Sequence, residues 1–129
     1  AALGIDRLII TDDCADLYNP KTVRAAMGGL FSLDIDVVKA LELQALICSL
    51  KNDGRKIYAT ALTDNALEIG ALALSRGDAF VIGNEGHGLS TATVEAASGV
   101  AIIPMTEGSE SLNAAAAAAI CIWETVRAK

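Results

Sequence analysis

AFVIGNEGHGLS, residues 79–90, is the stretch that sets the fold class of this chain. An unbroken apolar strand, AFVIG, runs into a loop with glycines at 83, 86 and 88 and an acid, Glu85, among them. A strand that is apolar on both faces must be covered on both, as in the parallel sheet of an α/β protein. Outward from it, RLIIT (7–11), KIYATAL (56–62) and GVAIIPM (99–105) are similar apolar runs. Pro20 opens a short helix, KTVRAAM, which Gly28 and Gly29 end. FSLDI (31–35) alternates and suits a strand near a sheet edge. Asp36 is placed to cap a helix over 37–52, where Val37, Val38, Leu41, Ala45 and Cys48 follow helical spacing. ALEIGALALSR (66–76) reads as a helix weakened by Gly70. TATVEAA (91–97) reads as a short helix capped by Ser90 or Thr91, and the last helix spans Ser111 to Arg127. Strands alternating with helices predict a single α/β domain over residues 1–129, a parallel sheet covered by helices on both faces.

Composition narrows the partners. At 129 residues the chain has the size of one domain, and with 53% hydrophobic but 4% aromatic residues its core must be aliphatic. No apolar run reaches the ~18 residues that span a bilayer, so no membrane partner is expected. The formal net charge of −6 argues against tight, non-specific nucleic-acid binding by this stretch alone. Lys51, Arg55 and Lys56 form a basic cluster that reads as a solvated turn. Cys14, Cys48 and Cys121 lie far apart, without a CxxC pair or a histidine cluster, so no metal is expected. They read as reduced, mostly buried thiols of a cytoplasmic protein.

Two loops carry the chemistry. Ligands of open parallel sheets bind beyond the C-terminal ends of the strands, and the glycine loop leaves such an end. So does IPMTEGSESLNAAA, residues 103–116. The glycines let backbone amides approach a ligand. Their spacing, GxxGxG, is not the GxGxxG of dinucleotide loops, and no GK[ST] follows. Glu85 would repel a phosphate, which leaves a neutral or cationic ligand. Pro104 fixes the exit from the strand, and Ser111 suits an N-cap. Asn113 is unexpected inside a first helical turn. These two side chains, with free helix-start amides and Glu85, make a binding corner. His87, the only histidine, reads as a surface side chain. The alanine run 114–119 favours helix and allows close backbone approach.

Paired in this order and at this spacing, the two segments resemble the second and third signature motifs of SpoU-type (TrmH-like) RNA 2′-O-ribose methyltransferases, in the SPOUT superfamily. CADLYNPKTVRAAMGGLFSLDI (14–35) and KIYATAL resemble further segments of that family, so the likeness covers essentially the whole chain. The resemblance implies the SPOUT fold, whose parallel sheet carries a C-terminal trefoil knot, a rare exception to unthreaded connections. It also implies S-adenosylmethionine held in the knot, a tRNA or rRNA substrate, and a homodimer joined through the first and last helices. Carried over by position, the cofactor pocket comprises Ala59, Thr60 and Ala61, then Gly83, Asn84, Glu85 and Gly86, then Ile103, Met105, Ser111, Leu112 and Asn113. Glu85, Ser111 and Asn113 match the family's functionally implicated polar residues and are the catalytic candidates. Arg24 matches an arginine common in the family and is given a structural role.

The family's first motif, with an Asn and an Arg thought to engage the target ribose and phosphate, precedes a segment like AALGID, where this sequence begins. Residues 1–129 thus read as a catalytic domain incomplete at its N-terminus. By themselves they are expected to bind S-adenosylhomocysteine weakly or not at all, and not to methylate. Two other classes compete: a catalytically silent SPOUT-fold module for binding or dimerisation, and a doubly wound nucleotide-dependent enzyme. The latter could use Glu107 as its acid but leaves Ser111, Leu112 and Asn113 unexplained.

Overall fold

The computed structural model describes residues 1–109 and 111–128, and the chain divides into two compact units, Ala1–Leu43 and Gln44–Lys129. In the N-terminal unit β1 (Arg7–Thr11) pairs in parallel with β2 (Asp34–Val38), with Arg7 opposite Asp34 and Thr11 opposite Val38. Between them lie α1 (Pro20–Ala25) and a 3-10 turn, Gly29–Phe31. Asn19 caps α1 by accepting from the Lys21 N–H, and Pro20 takes the first helical position, where its missing N–H costs nothing. Met27 and Gly28 then take positive φ, 46° and 82°, which ends the helix.

The strand expected at 31–35 is displaced. Phe31 sits in the 3-10 turn, and β2 takes in Val37 and Val38 instead. The helix expected over 37–52 is correspondingly shorter: a 3-10 turn, Ala40–Glu42, leads into α2, Leu43–Asn52. Parallel pairing with Ile10 and Thr11 claims the two valines, whose branched side chains suit a strand. Asp36 is therefore no cap; it lies in β2 and forms an ion pair with Arg7.

In the C-terminal unit, α2 is followed by β3 (Ile57–Thr60), β4 (Leu67–Glu68), a 3-10 turn (Ile69–Ala71), β5 (Ala79–Val81), α3 (Thr91–Ala96), β6 (Gly99–Ile102) and α4 (Ala114–Arg127). The four strands form a parallel sheet in the order β4-β6-β3-β5. Sheet pairing is thus divided between the two units, where a single sheet was expected. β3 is central and buried at Ile57, Tyr58 and Ala59. Successive residues point to opposite faces, so both faces of this strand are covered. Ile47 from α2, Ile69 from the 3-10 turn after β4, Val100 and Ala101 from β6, and Cys121 from α4 complete the core.

No helix forms over 66–76. Leu67 and Glu68 pair with Ala101 and Ile102 at the sheet edge, and only one 3-10 turn follows. Helix α3 is held at both ends. Ser90 caps it by accepting from the Thr93 N–H at 3.2 Å. At the other end Lys51 donates to the carbonyls of Ala96 and Ala97, at 2.8 and 3.3 Å.

The basic cluster is tied down in the same manner. Arg55 donates to the Gly77 carbonyl at 3.2 Å and Lys56 to that of Ala73 at 3.0 Å. These side chains brace the chain rather than simply meet solvent. Cys14 and Cys48 are exposed and Cys121 alone is buried, which corrects the expectation of mostly buried thiols. Among the described residues no helix is long and apolar enough to cross a membrane.

Candidate functional site

β3, β5 and β6 run parallel, so their C-terminal ends, Thr60, Val81 and Ile102, face one edge of the sheet. There the Thr60 hydroxyl donates to the Val81 carbonyl at 3.1 Å, joining two of these ends. The three loops that leave this edge enclose a cleft of about 370 Å³, a volume in the range of small-molecule sites. Thr60, Ala61 and Leu62 form one wall. The second runs from Ile82 through the glycine loop to Leu89. The third comes from the end of β6, then Ile103, Met105, Ser111 and Leu112, with Ala114 and Ala117 of α4 behind.

Main-chain geometry shapes the glycine loop. Asn84 and Gly88 pair across it in an antiparallel bridge, with the Gly88 N–H donating to the Asn84 carbonyl at 2.8 Å. The Asn84 side chain accepts from the Gly86 N–H at 2.7 Å, a local turn. Gly83 is packed against the returning strand of the loop: a Cβ there would come within 2.5 Å of the Gly88 carbonyl carbon. Only glycine permits that approach.

The start of α4 is closed. Asn113, not Ser111, is the N-cap; its Oδ1 accepts from the N–H groups of Ala115 and Ala116 at 2.9 and 3.4 Å. Glu85 reaches over from the glycine loop, its Oε1 accepting from the Ala114 N–H and from Asn113 Nδ2, both at 3.0 Å. The Ala117 N–H donates to the Asn113 carbonyl. The N–H groups of Ala114, Ala115 and Ala116, expected here as free helix-start amides, are therefore engaged.

A family model for the SpoU rRNA methylase family matches residues 1–123. The chain belongs to that family. Among similar proteins are the 23S rRNA (guanosine(2553)-2′-O)-methyltransferase RlmP of Bacillus subtilis, 37% identical over 95% of this chain and 48% of that protein, and the 23S rRNA (uridine(2479)-2′-O)-methyltransferase of Streptomyces viridochromogenes, 33% identical over 98% of this chain and 45% of that protein. The chain spans about half the length of the curated relatives it matches. The SpoU methyltransferase AviRb of Streptomyces viridochromogenes, solved in complex with the cofactor AdoMet, superimposes with a TM-score of 0.84 at 32% identity, over 98% of this chain and 51% of that one. An AdoMet-bound rRNA methyltransferase from Sinorhizobium meliloti gives 0.86 at 28% identity, over 98% and 47%.

Within this SpoU-family chain, Thr60, Ala61, Gly83, Asn84, Glu85, Ile103, Met105, Ser111 and Leu112 lie on the walls of one cleft. Ala59, Gly86 and Asn113 do not line it. Ala59 is fully buried inside β3, because the strand runs on through Thr60, two residues further than a loop reading allows. Gly86 closes the Asn84 turn, and Asn113 is spent on capping. Leu62, Ile82, His87, Gly88, Leu89, Ala101, Ile102, Ala114 and Ala117 also line the cleft and were not expected there. For Ala114 and Ala117 the signal was available: residues three apart share a helix face. Among the described residues no group of three or more His, Cys, Asp or Glu is placed to hold a metal ion.

Proposed function

We propose that this chain is the cofactor-binding, catalytic part of an S-adenosylmethionine-dependent methyltransferase acting on a ribose 2′-hydroxyl of tRNA or rRNA. The observation that carries it is the convergence of three loops, all at C-terminal strand ends, on one cleft in a chain of the SpoU family. The residues fit the cofactor. Leu89, Ile102 and Ile103 offer an apolar bed for a planar base. Asn84 and Ser111 add polar groups for a ribose and a zwitterionic amino-acid tail.

When bound, the cofactor supplies an electrophilic methyl group on a sulfonium. The residues of this chain bind and orient. Alignment of reacting atoms can contribute about 7–11 kcal/mol in favourable cases, and a cleft framed by backbone is a rigid means to it. Cofactor contact is assigned to Thr60, Ala61, Gly83, Asn84, Ile103, Met105 and Leu112, and orientation of the ribose or the methionine end to Ser111. The finer fold belongs to the same reading: helices on both faces of the sheet, and a trefoil knot threaded through the loops that frame the cleft. Homodimerisation through the first and last helices is supported by α4, where Trp123 and Val126 remain 54% and 42% exposed beside exposed Ala115, Ala116 and Ala119. The proposed location is cytoplasmic.

Calorimetry with S-adenosylhomocysteine, and mass spectrometry of ribose methylation in RNA incubated with the intact protein, test the proposal. Micromolar binding and cofactor-dependent 2′-O-methylation are expected. Absence of both from the intact protein would leave a silent binding module.

A further inference from the structure

The hydrogen bonds at the head of α4 give Glu85 a task that differs from base catalysis. The N–H groups of the first turn of an α-helix lack partners within it. Here Ala115 and Ala116 donate to the Asn113 side chain and Ala114 donates to Glu85, a residue 29 positions earlier, before the regular helical pattern begins with Ala117 donating to the Asn113 carbonyl. The same Glu85 oxygen takes a second hydrogen from Asn113 Nδ2. An ordinary capping box takes its reciprocal acid from inside the helix; here the acid comes from the opposite wall of the cleft.

We propose that Glu85 and Asn113 form a latch that fastens the glycine loop to the start of α4, and that Glu85 is a positioning residue. Oε1 has two N–H donors on it, both held in place by the helix start. Asn113 has both ends of its amide occupied and is not on the cleft wall. Ser111 and Leu112 immediately precede the latch and do line the cleft. Opening the latch would free the third wall to drift from the second. The carboxylate thus acts on the cofactor through Ser111 and Leu112, by fixing where they stand. This assignment rests on the cofactor reading of the cleft, but the latch itself can be tested without a cofactor.

A neutral amide keeps an oxygen able to accept both hydrogens, so the variants separate reach from charge. In the intact protein, Glu85→Ala and Asn113→Ala are expected to speed hydrogen exchange at the Ala114 amide by about tenfold or more, and to weaken binding of S-adenosylhomocysteine by about tenfold. Glu85→Gln should rescue both to within about threefold. Glu85→Asp keeps the charge but is one methylene shorter; it should resemble Glu85→Ala, and it serves if the alanine variant does not fold.

Two results would overturn the latch. One is Glu85→Gln binding as poorly as Glu85→Ala while the Ala114 amide stays protected, which would place the charge directly on the ligand. The other is full Ala114 protection in Glu85→Ala. If the wild-type protein fails to bind S-adenosylhomocysteine, the cofactor reading falls, and the exchange comparison still decides the latch.

Discussion

Among the described residues, every buried apolar side chain, from Ile47 to Cys121, belongs to the C-terminal unit, whereas the N-terminal unit leaves Tyr18, Met27, Phe31 and Leu41 at least 75% exposed. One unit has a four-stranded sheet with a central strand covered on both faces; the other has a single parallel pair. Two strands alone bury too little to be stable by themselves. The contrast shows where the cleft is anchored. Each of its walls leaves a strand of the four-stranded sheet, so the site's geometry is inherited from the unit with the core.

The sharpest way to break that contrast is to truncate one large side chain in each unit. Ile57→Ala, in the centre of β3, is expected to cost about 2–5 kcal/mol in urea unfolding, and Phe31→Ala within about 0.5 kcal/mol. Equal losses would mean that the two units share one core. Gly83→Ala comes next. The added methyl would press on the Gly88 backbone, so a loss of about 3 kcal/mol is expected, with loss of S-adenosylhomocysteine binding by calorimetry.

Cys121 tests the core from its helix side. Burial pushes its thiol from the ordinary 9.0 up to about 11. The unfolded chain therefore ionises first. The contribution is complete below pH 9 and is lost as pH rises to about 11, a fall on the order of 2 kcal/mol from this group. Native labelling with a thiol reagent should modify Cys14 and Cys48, and Cys121 only on unfolding. Smallest is Lys51→Met, which keeps the stem but removes the ammonium from the end of α3, at a cost of about 1 kcal/mol in the same unfolding assay.

The parts of the fold legible in the sequence are those where local pattern and burial agree. RLIIT, KIYATAL, AFVIG and GVAIIPM all became strands because apolar runs of that length have few other uses. ALEIGALALSR did not become a helix. Its alanines and leucines favour one, but a short helix is marginal without packing, and sheet pairing by Leu67 and Glu68 was available. At 37–52 helical spacing and β-branching competed, and Val37 and Val38 went to the strand. At the site, the glycine loop and the Ser111–Asn113 segment were legible as two walls because both follow strand ends. Which of Ser111 and Asn113 caps α4 was not, since either side chain can do so. The Glu85 contact decides it, and that contact spans 28 residues.

The glycine loop keeps its shape with the main chain, through the Asn84–Gly88 bridge and the bare Cα of Gly83. His87 stands at its tip, exposed, flanked by two glycines and among the residues that line the cleft. Among the described residues, none of the hydrogen bonds that shape the loop uses that side chain. Position 87 is therefore a place where selection can retune the mouth of the pocket, in charge, size or proton affinity, without renegotiating the architecture behind it.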